Sequence, residues 1–387
     1  MNAQLTISRL FVPGHLAVRD WDRLVANTPG ADVTQLSAWA AIRAEAGYSP
    51  IYLLAYLDDE LAGGALVLCR RVLGLLDVGY LPYGPVIATS PVAGSGRAAV
   101  TTALADELAI LAGTLRMLFV QPPEHAHDVS SGLLARGFRV SHAGIAPAGS
   151  YRLDLRRPLE EIRSGFSRRL KSWTNRWDAH GVRVRLGDER DLPLLLALMR
   201  CSGERQGFAP PPRSYVRTLY RELAAGGHVA LFIGEVRGVP VSADLVTVCA
   251  GMVRGRLGGF DASGEAGKLS VPAAVRWEII KWARARGCRW LDFGGLPERM
   301  LSDMIDHGIH SSDEWPSAQR SKLQFNGTAF RYPTPVELIR PGVVRTTYDL
   351  VTANPAGHRL ITTARSLLRG TRTRPHAYPI PRPRQGG

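Results

Sequence analysis

The sequence predicts an α/β (α+β) protein of two similar domains, each a mixed central sheet flanked by helices, and three observations carry that reading. The chain has 387 residues, too many for one core of roughly 100–200 residues. Its composition is 45% apolar, enough for two packed interiors. Strand-like and helix-like periodicities also run through the chain twice in one order, hairpin, helix, strand, as a diverged internal duplication would leave them. The expected units are 1–150, 151–345, a C-terminal helix over 346–369 and a tail over 370–387. That tail, TRTRPHAYPIPRPRQGG, has too few apolar residues to fold and reads as disordered and basic.

In the first half, residues 31–47 carry apolar side chains at helical spacing, with Thr34 as the N-cap. IYLLAYLDDELAGGALVLCRR is two apolar strands around a polar turn at Asp58-Asp59-Glu60, a hairpin. LLDVGYLPYGPVIA is a strand broken by prolines, 96–111 a long Ala/Leu helix, and MLFVQPP a short buried strand. A helix stopped near Gly137 closes the unit. The second half begins with strand YRLDL, a basic helix over 159–180 and strand VRVRLG. Helices over 189–202 and 213–226 follow. Three or four antiparallel strands come next, with turns at Arg237-Gly238 and in the region 252–256. An amphipathic helix, VPAAVRWEIIKWARARG, leads into CRWLDFGG.

Four scattered cysteines and ten dispersed histidines lack metal-ligand spacing, so no metal is expected and the thiols read as reduced and buried. No run of 18–20 apolar residues occurs and the N-terminus lacks an apolar leader core, so the protein is expected to be cytosolic. A net charge of +14 attracts polyanions such as nucleic acid, anionic lipid or nucleotide-linked substrates. Arginine has nearly displaced lysine: only Lys171, Lys268, Lys281 and Lys322 remain, and each marks a place where a compact ammonium can do what a guanidinium cannot.

The chemistry concentrates in WLDFGG and, 27 residues on, SKLQFNGTAFRYPTPVELIRP. Two glycines at a strand end let backbone approach a ligand, although Gly294-Gly295 also suits a plain turn. The pairing of DFGG with a later K-x-x-F-x-G resembles the Fem family of aminoacyl-tRNA-dependent transferases that build peptidoglycan cross-bridges. TQLSAWAAIRAEAGYSPIYLLAYLDDELAGGALVLCRR followed by YLPYGPV is similar to that family's opening helix, hairpin and Y-x-x-x-GP strand. FSRRLKSWTNRWDAHGVRV resembles its junction helix. The likeness runs over residues 30–340.

What the resemblance implies is two tandem GNAT-like domains, an aminoacyl-tRNA co-substrate with no other cofactor, and a phosphate-bearing or amine-bearing small acceptor, either a peptidoglycan precursor, with peripheral contact to its membrane-linked form, or a small secondary metabolite. It places acceptor phosphates on Arg43 and on one of Arg169, Lys171 or Arg176. Tyr83, Gly294, Gly295 and Phe325 fall within the matching motifs as substrate contacts. Lys322 is the implied catalytic residue, since an ammonium stabilises the charge that develops on an ester carbonyl under attack. The acceptor's proton leaves through Asp292, Asp261 or water. Asp244, in an apolar run, needs a partner or a cleft, and Phe260-Asp261 could line the same pocket. Two other readings compete. An acyl-CoA-dependent N-acyltransferase would share the fold, but its pyrophosphate loop is missing at Gly94–Arg97 and at Gly264–Lys268. A non-enzymatic nucleic-acid binder would gather its arginines on one face, whereas here they spread over both halves.

Overall fold

Three two-residue turns set the sheet edges. Asp58-Asp59 (φ 49° and 65°), Arg237-Gly238 (50° and 80°) and Ala250-Gly251 (50° and 77°) all hold positive φ at both central positions, the geometry whose twist matches paired strands. In the computed structural model the described residues are 4–11, 14–72, 76–89 and 91–353, without the side chains of 91–95.

The first half runs β1 (Leu5–Leu10), α1 (His15–Asn27), α2 (Ser37–Ala44), β2 (Ser49–Leu57), β3 (Glu60–Val72), β4 (Leu76–Pro82), β5 (Val86–Ile87), α3 (Pro91–Leu115), β6 (Met117–Gln121), α4 (His127–Leu134) and β7 (Arg139–Val140). The second runs β8 (Gly149–Asp154), α5 (Leu159–Ser164), α6 (Arg168–Thr174), β9 (Val182–Gly187), α7 (Leu192–Gln206), α8 (Arg213–Ala225), β10 (Val229–Val236), β11 (Val239–Cys249), β12 (Met252–Phe260), α9 (Val271–Ala285), β13 (Trp290–Gly295), α10 (Glu298–Ile305), α11 (Ser317–Leu323) and β14 (Thr328–Arg331). The chain then returns as β15 (Val336–Ile339) and α12 (Gly342–Ala353).

The duplication is explicit in the sheets. One has the order β1-β2-β3-β4-β6-β15-β7, with β5 against β3, and the other β14-β8-β13-β12-β11-β10-β9. In each, an antiparallel run ends in one parallel pair, β4 with β6 and β12 with β13. The two halves also exchange strands. β15 completes the first sheet by pairing with β6 and β7, although the sequence put it in a 151–345 domain. The helix expected over 346–369 begins earlier, at Gly342; its remainder and the tail over 370–387 lie outside the described residues.

Three other expectations shift. Thr34 is not an N-cap: Asp32 accepts from the Thr34 amide (3.0 Å) in a single turn over Val33–Gln35, and α2 starts two residues later, at Ser37, whose amide Asp22 accepts (2.8 Å). The basic helix over 159–180 is broken into α5 and α6, because Phe166 drops into the core against Phe325 and Trp277 and Ser167 caps the new start at Leu170. Residues 252–256 are strand; the turn is Ala250-Gly251, where an alanine at positive φ gave no signal.

A shared apolar core joins the halves. Trp21, Leu36, Leu54 and Leu66 of the first pack with Leu195, Leu219 and Leu245 of the second. Gly96–Leu115 of α3 is long and apolar enough to cross a membrane, but its Val100, Leu104, Leu108 and Leu111 are buried in the core of the first sheet.

Candidate active site

β12 and β13 pair only at Met252↔Trp290, Val253↔Leu291 and Arg254↔Asp292, and then part. On the other side of β12 the register slips where Leu245 pairs with Leu257 but Val246 pairs with Gly255, so Arg256 is the extra residue of a β-bulge. The parting leaves a cavity of about 220 Å³ whose wall includes Asp244, Gly258, Arg276, Asp292 and Phe293. Asp244 comes from β11 opposite Gly258, where a Cβ would stand 2.3 Å from the Asp244 Oδ1. A larger residue there would have to turn the carboxylate out of the rotamer it holds. Burial raises the Asp244 carboxyl to about 6, with Arg276 pulling the other way.

Lys322, on the last turn of α11, is 8% exposed. Its Nζ donates to the Gly295 carbonyl at 2.9 Å and the Gly294 carbonyl at 3.2 Å. Gly294 holds φ +90°, which turns its carbonyl toward the lysine at little steric cost. Burial and Arg276 lower the Lys322 ammonium to about 8, against the pull of Asp292. Arg276 and Asp292, the two charges that act on the lysine, both stand in the cavity wall. Arg276 also donates from Nη1 to the Ser321 Oγ at 3.2 Å, tying α9 to α11.

Asp292 is 1% exposed and fully engaged. Its Oδ1 accepts the Gly294 amide at 2.7 Å. Its Oδ2 accepts from Arg254 Nε at 3.1 Å and from the Tyr332 hydroxyl at 3.3 Å, with Arg152 Nε 3.8 Å away. Arg254 and Arg256 in turn bind Asp32 of the first half, the latter at 2.8 Å, and Arg152 binds Glu124 at 2.7 Å. Burial alone would raise the Asp32 carboxyl, but Arg256, Arg254 and the Thr34 bonds outweigh it and hold it at about 2. These ion pairs cross between the halves and converge on the strand end that carries Gly294.

The structure thus sets Asp244 and Asp292 in one cavity wall and Lys322 on the Gly294 and Gly295 carbonyls at the end of the strand that carries Asp292, and separates the rest. Asp261 lies past the end of β12, accepts the Ser263 amide and is held below the usual carboxylate range by that bond; it is outside the cavity wall. Phe260 is held there by Ser202 and Arg205. Phe325 is fully buried among Phe166 and Phe293, a core residue rather than a substrate contact. Tyr83 is buried 5.1 Å from the Tyr332 ring and 5.0 Å below Arg254. Arg43 is 5% exposed, packed over Tyr48 and against Tyr215 of α8, so α8 covers the surface from which it would grip a phosphate. Arg169 and Arg176 are exposed, Arg176 over Trp173, and Lys171 bonds the Ser164 carbonyl at 3.1 Å. Sequence reasoning missed Arg276, Arg254, Arg152, Tyr332 and Asp32.

Residues 163–302 match the acetyltransferase (GNAT) domain profile. Among curated proteins, the chain is 25% identical over 234 residues to a lipid II:glycine glycyltransferase of Staphylococcus aureus (strain MRSA252), covering 57% of this chain and 54% of that one. It is 26% identical over 238 residues to the lipid II:glycine glycyltransferase of Staphylococcus saprophyticus, covering 58% and 56%. The match therefore spans about half the length of these relatives. Among solved structures, the crystal structure of FemX superposes with a TM-score of 0.74 at 18% identity, over 89% of this chain and 99% of that one, a likeness of fold.

Proposed function

This chain belongs to the Fem family, with its tandem GNAT fold, and from that premise we propose that it is an aminoacyltransferase: it moves an amino acid from aminoacyl-tRNA to an amine of a peptidoglycan precursor, forming an amide. The observation that carries this reading is Lys322, an ammonium fixed by the Gly294 and Gly295 carbonyls beside the one parted strand pair. An ester of tRNA is already activated, so no enzyme-bound intermediate is needed. The neutral acceptor amine attacks the ester carbonyl, the C–O bond to the ribose breaks, and negative charge builds first on the carbonyl oxygen and then on the leaving hydroxyl. An ammonium at that point is worth about 2.7–4 kcal/mol in the transition state. The proton of the amine passes to solvent: Asp292 has its lone pairs taken by donors, and Asp261 stands apart from the cavity. The surplus of positive charge suits a polyanionic donor. The lipid II specificity named for the relatives favours a lipid-linked precursor, met at the cytoplasmic membrane face, over a small metabolite.

The GNAT match keeps acyl-CoA transfer as the second reading. Against it, the loop after β12 spends its amides locally: Ser263 on Asp261, Lys268 on Glu265 and Leu269 on Ala266, where a pyrophosphate would need them free. The decisive experiment supplies labelled aminoacyl-tRNAs or acyl-CoAs together with lipid-linked or nucleotide-linked peptidoglycan precursors, with and without RNase. RNase-sensitive transfer that vanishes in Lys322→Ala is expected. Transfer from acyl-CoA alone would overturn the proposal.

A further inference from the structure

Asp244 is the carboxylate that the catalytic account leaves without a task. Its neighbours in the cavity wall are engaged elsewhere: Asp292 with Arg254 and Tyr332, Arg256 with Asp32, Arg276 with Ser321. Among the described residues no donor bonds the Asp244 side chain, and Arg276 acts on it only through space. Glycine at position 258 leaves the Asp244 Oδ1 free to hold its present place, 2.3 Å from where a Cβ would stand. A desolvated carboxylate of this kind is costly unless a cation meets it, and burial holds it at about 6, still ionised at neutral pH.

We propose that Asp244 is the subsite for the α-ammonium of the aminoacyl group being transferred. The inference rests on the aminoacyl-donor reading above and adds to it the residue that tells an aminoacyl from a plain acyl group. In an aminoacyl ester the ammonium nitrogen sits two bonds from the reacting carbonyl carbon. Holding that nitrogen on Asp244 leaves the carbonyl within the same cavity, whose wall carries Arg276 and Asp292, the two charges that act on Lys322. A plain acyl or hydroxyacyl group in the same place would leave the half-buried carboxylate without a cation, so discrimination follows from charge pairing rather than from size.

The test uses two arms on the full chain. In the first, calorimetry compares an alanyl group amide-linked to 3′-amino-adenosine with its lactyl counterpart, which carries a hydroxyl in place of the ammonium. Wild type should bind the alanyl probe about tenfold or more tightly, the preference should fade as pH drops through about 6, and Asp244→Asn should abolish it. A preference that survives Asp244→Asn, or its absence in wild type at pH 7.5, overturns the proposal; the pH titration of wild type decides the matter should the variant fail to fold. In the second arm, transfer is followed from alanyl-tRNA and from lactyl-tRNA. Probe preference without any tRNA-dependent transfer would sink the donor reading and leave the subsite standing, whereas transfer without preference would do the reverse.

Discussion

The parallel strand pair at the centre of each sheet is the place where the two halves differ most. In the first half β4 and β6 stay paired over five positions, Val78↔Met117 through Pro82↔Gln121, and two buried amides seal the neighbourhood. Gln35 donates to the Pro82 carbonyl at 2.7 Å and accepts the Leu66 amide at 2.9 Å, while Gln121 donates to Pro333 at 2.9 Å. In the second half the matching pair parts after three positions, and charged side chains line the gap. The same strand ladder is thus closed by neutral amides in one copy and opened around Asp244 in the other. The cavity belongs to the second copy; the first supplies Asp32 and Glu124, which hold the opened strand end in place.

The contrast can be broken at several points. The largest expected effect is at the ionic bridge. Arg254→Ala leaves Asp32 and Asp292 buried without their shared partner and should cost about 3–5 kcal/mol of stability by urea denaturation. Lys322→Ala should leave stability nearly unchanged and lower transfer by about 100- to 1,000-fold, measured with the labelled donor. Gln35→Ala attacks the closed copy. It strands the Leu66 amide and the Pro82 carbonyl, so about 2–3 kcal/mol of stability should go, with transfer per folded molecule unchanged.

Asp244→Asn should act in the opposite sense. The folded state raises this carboxyl from 3.8 to about 6, so folding binds its proton more tightly than the unfolded chain does. The resulting penalty is absent below about pH 4, grows between the two values and is complete above about 6. The variant should therefore gain about 3 kcal/mol at pH 8 and nothing at pH 4, with calorimetric unfolding at both pH values as the check. The smallest effect is on the pH profile of transfer. An acid limb near 6 from Asp244 and an alkaline limb near 8 from Lys322 should bound a bell, with the acid limb lost in Asp244→Asn.

Much of this was legible in the residues, and the remainder had physical reasons to be hidden. Lys322 stood out because it falls on the lysine of the family's K-x-x-F-x-G motif, Gly294 because a glycine pair ends a strand, and Asp244 because a carboxylate interrupts an apolar run. Arg276 reads as the solvated face of an amphipathic helix, and nothing local says that Ser321 and the cavity lie over it. Asp32 and Arg254 meet across 222 residues, a pairing that alternation cannot encode. Asp292 was expected to move a proton and instead anchors a turn, since spacing gives no hint of the arginines above it. Arg43 was expected to grip an acceptor phosphate from its position in the family's opening helix, but α8 closes over it. The crossing of β15 was invisible for a similar reason: four residues, VELI, are too short to say which sheet they join.

That exchange governs the order in which the molecule can be finished. The first sheet cannot bind its sixth strand until Val336–Ile339 has been synthesised, nearly two hundred residues after β7. During translation β6 must wait with an open edge while the entire second half is made, so domain-by-domain folding on the ribosome is closed to this chain. The two copies, however old their duplication, can be completed only together.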